Sequence, residues 1–119
     1  MKLDGDRSGD TLVIRVGERR IDSAVAIQFK DSVRDLAGAA GERGTEPAAT
    51  VILDLARVDF VDSSGLGAIV AAMKLLAPAQ RLELAALTPN VMRVFRLTRM
   101  DGVFTIHPVA PGAAGPDAA

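Results

Sequence analysis

The stretch VDFVDSSGLGAIVAAMKLLAP, residues 58–78, joins two kinds of sequence in one segment. Its first half gathers Asp59, Asp62, Ser63, Ser64, Gly65 and Gly67, and its second half carries one ionic side chain, Lys74. Small acidic and hydroxyl residues ahead of an apolar run mark a helix start, and Pro78 marks its end. The run just before it, TVILDLA (50–56), is too apolar for a strand exposed on one face. It reads as a central strand covered on both sides, as parallel strands usually are. A buried strand passing through a short loop into a helix is half of a β-α-β unit, and that unit decides the fold class.

Working outward, TLVIRV (11–16) is a short β-branched strand bounded by Gly9 and Gly17. A weaker strand around Lys2 to Asp6 can pair with it through a Ser8-Gly9-Asp10 turn. In IDSAVAIQFKDSVRDLAGAAG (21–41), Ala26, Phe29, Val33, Leu36 and Ala40 recur at helical spacing, with Asp22 or Ser23 as cap and Gly41 as stop. The segment 41–47 is a connection without periodicity. RLELAAL (81–87) is a further strand. Thr88 then caps a helix with Pro89 in its first position, a favoured arrangement, and Val91, Val94, Phe95 and Thr98 face inward. Asp101-Gly102 is a turn, and VFTIH (103–107) a last short strand. The order β-β-α-β-α-β-α-β predicts a single α/β domain with a mostly parallel mixed sheet, an N-terminal β-hairpin or edge, and three main helices. The domain is expected over 1–109, with a flexible tail over 110–119.

Composition narrows the function. Half of the 119 residues are hydrophobic (49%), which suits a folded domain rather than a disordered chain. The formal net charge of −1 argues against a nucleic-acid partner, which needs a basic face. With no cysteine and one histidine, His107, the chain has no thiol chemistry and no multi-histidine metal site. The polar, acidic start MKLDGDRSGD is no signal peptide. No apolar run reaches the roughly 18–20 residues that cross a bilayer. The expectation is a cytoplasmic protein with no membrane insertion.

The loop at residues 58–67 lies where ligands and chemistry gather in open α/β sheets, at the carboxyl end of a strand and the mouth of a helix. A helix N-terminus carries unpaired N–H groups and partial positive charge, and it accepts anions. Ser63 or Ser64 reads as an N-cap, worth roughly 0.5–2 kcal/mol over alanine, with Ser64 as the structural member of the pair. The alternative is that the Ser63 hydroxyl is a site of chemistry, with Gly65 and Gly67 keeping side chains away from it. Standard enzyme machinery is missing: there is no Walker phosphate loop and no nucleophile elbow. His107 reads as an ordinary loop histidine. A nucleotide hydrolase would lack the lysine and metal ligands that phosphoryl transfer needs. Asp54, Asp59 and Asp62 make a poor metal set, because Asp54 lies within a strand. Arg93, Arg96 and Arg99 read as a solvated helix face.

The run ILDLARVDFVDSSGLGAIVAAMK resembles the signature of STAS domains, in particular the bacterial anti-sigma-factor antagonists: an Asp-containing strand, a D-S-[ST]-G-L-G loop, then a helix. RIDSAVAIQFKDSV resembles the family segment in which an Asp precedes the first helix, and LTPNVMRVFRLTRMDGVFTIHP its last helix and strand. The resemblance implies a non-enzymatic switch without cofactor. The unphosphorylated antagonist binds an anti-sigma factor that is also a serine kinase, phosphorylation breaks the complex, and a phosphatase acting on phosphoserine restores it. Carried over, the phosphoacceptor is Ser63, with Asp62, Ser64, Gly65 and Gly67 around it and Asp22 as the nearby acidic residue. Where the family often has Gly shortly before that Asp, this chain has Arg19 and Arg20. The alternative within the family is a non-switching module associated with a membrane transporter.

Two physical expectations attach to that site. A phosphate adds about −1.5 to −2 charges to a patch already holding Asp59 and Asp62, so it should act at the interface and not by refolding. In the helix that follows, Leu66, Ile69, Val70, Met73 and Leu76 can share the sheet-facing side. Ala68, Ala71, Ala72 and Leu75 then form a small-residue docking face beside Ser63, or else the helix is buried on several sides.

Overall fold

The computed structural model describes residues 1–39 and 46–112 of the chain. Gly41 as a helix stop, Ala40 on the first helix's inner face, most of the 41–47 connection and the tail beyond Gly112 lie outside the described residues.

Strands β1 (Leu3–Ser8) and β2 (Thr11–Val16) form an antiparallel hairpin in which Ser8 faces Thr11. Gly9 holds φ +59° at the first turn position, a conformation that glycine takes without steric cost. After β3 (Arg20–Ile21) comes helix α1 (Ala26–Ala39), then β4 (Thr50–Asp54), β5 (Phe60–Val61) and helix α2 (Ser63–Leu76). Strand β6 (Arg81–Ala85), helix α3 (Pro89–Leu97), a single 3-10 turn at Met100–Gly102, and β7 (Ile106–His107) complete the chain. The main sheet has the order β1-β2-β4-β6-β7, with every pair after the hairpin parallel. This is the mixed, mostly parallel α/β sheet with three helices that the sequence predicts.

Alternation along the strands sorts the core. Leu12, Ile14 and Val16 of β2, Val51 and Leu53 of β4, and Leu82 and Leu84 of β6 point to one face. There they meet Phe29 and Val33 of α1, Ile69 and Ala72 of α2, and Val91 and Phe95 of α3, so all three helices cover the same side. Phe104 closes this core edge-on against Phe95, with ring centroids 5.9 Å apart. The opposite face holds a smaller cluster of Val13, Ile52, Ala85 and Ala110. β4 is thus buried on both faces. Ala110, expected in the tail, is buried at 4% exposure against the helix-free side of the sheet.

Three local expectations shift. Helix α1 begins at Ala26, after a turn in which Asp22 Oδ1 accepts from Ala24 N–H (3.1 Å) and Val25 N–H donates to the Asp22 carbonyl (3.1 Å). Asp22 therefore caps that turn and not the helix. Thr98 does not face inward: it is exposed, and its hydroxyl donates back to the Val94 carbonyl at 2.7 Å. The last strand shrinks to Ile106–His107, because Phe104 is taken up by the core instead of by sheet pairing.

Candidate functional site

The mouth of α2 is built by Asp62. Its backbone is extended, its carbonyl accepts from Leu66 N–H at 2.9 Å, and its Oδ1 accepts from Gly65 N–H at 2.8 Å. Asp62 is therefore the N-cap, and an acidic side chain there also meets the positive end of the helix. This corrects the assignment of the cap to Ser63 or Ser64. Those residues are the first and second of the helix, both exposed. The physical reason is competition for one position: a carboxylate three residues before Gly65 reaches its N–H, and the serines, one step further in, then have no capping role. The Ser63 hydroxyl makes no hydrogen bond with the described residues, which leaves it free to be approached from outside.

Gly65 is required by close contact. A Cβ there would fall 1.8 Å from the Ile21 carbonyl oxygen, an overlap no backbone shift of ordinary size relieves. The helix mouth is pressed onto β3, and only glycine fits. Gly67 is different: a Cβ at that position meets nothing within 4 Å. It keeps the surface beside Ser63 low without being needed by the packing.

A second, two-stranded sheet aligns the rest of the site. β3 pairs in parallel with β5, with Arg20 opposite Phe60 and Ile21 opposite Val61. The alignment runs on past the strands: Asp62 N–H reaches the Ile21 carbonyl (3.4 Å), and Ser23 N–H donates to Asp62 Oδ2 (3.3 Å). Asp22 and Asp62 are thus brought side by side, one residue before Ser63, by two chain segments 40 residues apart. Ile21 and Val61 are buried beneath, so Arg20, Asp22, Phe60 and Asp62 lie on the outer side of this pair.

The charge of this patch is more balanced than the acidic residues alone suggest. Arg19 grips Asp59 Oδ2 through Nη2 (2.6 Å) and Nε (3.1 Å). Arg20 donates to Asp22 Oδ2 (3.3 Å) and lays its guanidinium over the Phe60 ring, 4.3 Å from the centroid. The two arginines that replace the expected glycines therefore offset Asp59 and Asp22. Asp62, at the positive helix end, is the carboxylate left without an ion-pair partner among the described residues.

Helix α2 is buried on two sides. Ile69 and Leu76 sit in the core, while Leu66, Val70 and Met73 pack partly against it. Ala68 and Ala72 are also buried, at 7% and 1% exposure, because α1 packs directly along α2 and small residues let the two helices approach. Ala72 is closed off from any docking face, while Ala68 sits at the floor of the groove between the helices. Ala71 is half-buried, Leu75 is 50% exposed, and Ile27 on α1 is 73% exposed. An open groove runs between the helices from Ser23 and Ser64 past Ala26, Ile27, Lys30 and Ala68 to Ala71. Ile27 has no partner-binding signal in the sequence, since it interrupts α1's inner-face spacing and looks like an ordinary exposed residue.

The remaining polar residues lie elsewhere. His107 is in a strand, and its Nε2 lies 2.8 Å from Oε1 of Glu83, the buried carboxylate on the helix-free face, which Arg81 also approaches at 3.5 Å. It belongs to the sheet face opposite α2 and is not grouped with Ser63. Asp54 accepts from Ala56 N–H (3.0 Å) at the end of its own strand. Arg93, Arg96 and Arg99 are exposed and form no ion pair among the described residues. Thr88, the N-cap residue of α3, turns its hydroxyl to the Val58 carbonyl (2.7 Å), tying α3 to the loop that leads into the site. No described helix is long and apolar enough to cross a membrane.

Comparison with solved structures places the whole architecture. An anti-sigma factor antagonist from Mycobacterium paratuberculosis superposes with a TM-score of 0.74 at 20% identity, over 91% of this chain and 86% of that one. The Bacillus cell fate determinant SpoIIAA in its phosphorylated form matches with a TM-score of 0.60 at 23% identity, over 91% and 92% of the two chains. The murine Slc26a9 anion transporter carries the same fold in 17% of its length, matching 88% of this chain with a TM-score of 0.73 at 17% identity. The sequence model of the STAS domain family matches residues 3–112. With that match over nearly the whole chain, and with the fold it shares with these proteins, the chain belongs to the STAS domain family.

Proposed function

We propose that this chain is an anti-sigma-factor antagonist whose binding to an anti-sigma factor with serine-kinase activity is switched by phosphorylation of Ser63. The observation that carries the reading is the free hydroxyl at the first position of α2. Asp62 does the capping, so Ser63 contributes nothing to the fold that a phosphate would take away. The solved neighbours that are anti-sigma factor antagonists, one of them in a phosphorylated form, support the role.

The chemistry asks little of this chain. The partner binds ATP, a base on the partner takes the hydroxyl proton, and the γ-phosphoryl group passes to Ser63 Oγ with ADP as leaving group. The unphosphorylated antagonist docks through the Ser63 patch and the neighbouring groove, where Ile27, Ala68 and Ala71 offer apolar contact, with the exposed Leu75 one turn further along α2. Before modification the patch is nearly balanced, since Arg19 and Arg20 offset Asp59 and Asp22. The new charge of about −1.5 to −2 then faces a surface fitted to a neutral hydroxyl. Desolvating such a charge against a partner surface that has no group fitted to it costs several kcal/mol, and each 1.4 kcal/mol is tenfold in affinity. A phosphatase acting on phosphoserine resets the switch.

A second reading is favoured by the match to part of an anion transporter: a STAS module that binds a membrane transporter without switching. Incubation with ATP and the cognate kinase, followed by mass spectrometry, separates the two. Phosphate on Ser63, abolished in Ser63→Ala, supports the switch. A chain that stays unmodified by that kinase and binds a transporter subunit overturns it in favour of the module.

A further inference from the structure

We infer that Arg20 is the counter-ion for phosphoserine at position 63, held ready for it by Phe60 and Asp22. The inference rests on the reading of Ser63 as the phosphoacceptor and concerns how the fold receives the phosphate. Arg20 sits in the ladder opposite Phe60, three residues before Ser63. Its side chain leans along the ladder toward the site, donating to Asp22 at 3.3 Å while its guanidinium covers the Phe60 ring. Asp22 is level with Asp62, which directly precedes Ser63. Ser63 opens α2 directly after Asp62, so a phosphoseryl group there and the long, 61%-exposed Arg20 side chain extend from adjoining segments.

The charges around the site favour the exchange. Asp59 is already held by Arg19, and Asp62 has no cation of its own among the described residues. Arg20 alone serves a carboxylate beside Ser63 through a single long contact, and four of its five N–H groups are uncommitted to Asp22. A phosphate offers more charge than Asp22 and oxygens suited to the planar fork, so the guanidinium can bridge the two anions. Asp22 would otherwise repel the phosphate across the ladder. With Arg20 bridging them, the 19–25 segment stays docked on β5 in the phosphorylated form.

The test uses the full chain with phosphoserine placed at position 63 during translation, so it needs no kinase and its outcome is independent of whether a cognate kinase modifies Ser63. The probe is a phosphorus-NMR pH titration. A nearby guanidinium favours the dianion, so the second ionisation, ordinarily at about pH 6, should lie lower than in Arg20→Ala by roughly 0.5 pH unit or more. Arg20→Lys should restore part of the difference, and Phe60→Leu should lose part of it. Arg19→Ala, whose guanidinium belongs to Asp59, should titrate like the parent. An unchanged titration in Arg20→Ala, or an equal shift in Arg19→Ala, would overturn the assignment. Because the Arg20–Asp22 pair is exposed, the parent melting temperature is expected to survive the substitution, and a circular-dichroism melt of each variant verifies that the comparison is between folded proteins.

Discussion

Three residues at the start of α2 divide the labour. Asp62 caps, Ser63 is presented, and Gly65 lets the helix mouth rest on the Ile21 carbonyl. Thermal unfolding should rank single substitutions accordingly. Gly65→Ala forces a Cβ into backbone and should cost about 3 kcal/mol or more. Asp62→Ala loses the cap and should cost about 1 kcal/mol. Ser64→Ala should stay near the parent, while Gly67→Ala, in open space on an exposed helix turn, should gain about 0.5–1 kcal/mol. For a chain of this size each kcal/mol moves the midpoint by roughly 4 °C. A Ser64→Ala loss larger than that of Asp62→Ala would return the cap to the serine. Sequence spacing shows that a cap stands in this loop, because several of the residue types that cap are there together. It does not say which one wins, since Asp, Ser and Ser each satisfy the pattern and the choice depends on the turn geometry that delivers the side chain to an N–H.

At the scale of elements, the long strands and all three helices are legible because each carries enough residues to show a period. β4 reads as central from its unbroken apolar run, and it is buried on both faces. The β3–β5 pair is invisible for the opposite reason: two residues in each strand make no alternation, and the pairing joins segments 40 positions apart. Yet that pair aligns Asp22 with Asp62 and holds the arginines in place. Helix α2 shows another limit. An apolar helix with alanines all round is consistent with one buried face or two, and only the approach of α1 decides that Ala68 and Ala72 are inside. Two substitutions one turn apart should therefore diverge. Ala72→Glu buries a charge between helices and should unfold the domain or lower its midpoint by 10 °C or more, a cost of roughly 3 kcal/mol. Leu75→Glu should leave the midpoint within about 2 °C and weaken binding of the partner kinase, as read by calorimetric titration. Equal melting of the two variants would contradict the two-sided burial.

Over the whole molecule, the layout separates the packed core from the proposed switch. All three helices bury one face of the sheet, and the opposite face is closed by Val13, Ile52, Ala85 and Ala110 with the Glu83–His107 contact at its side. The histidine that a sequence-level search for catalysis would examine first is thereby spent on a buried carboxylate, on the far side of the sheet from Ser63. The α2 mouth rests on Ile21 and Val61 of the main core, but Ser63 itself is exposed on its outer side, so a charge can be added there without disturbing the core. The direct measurement is the dissociation constant of two forms of the chain for the cognate anti-sigma factor kinase, identical except for phosphate on Ser63, with circular dichroism of each. The account predicts at least about 100-fold weaker binding of the phosphorylated form, or 2.7 kcal/mol, with superimposable spectra. Equal affinities, or a phosphorylated form that has lost its helical signal, would contradict a switch that acts at the interface.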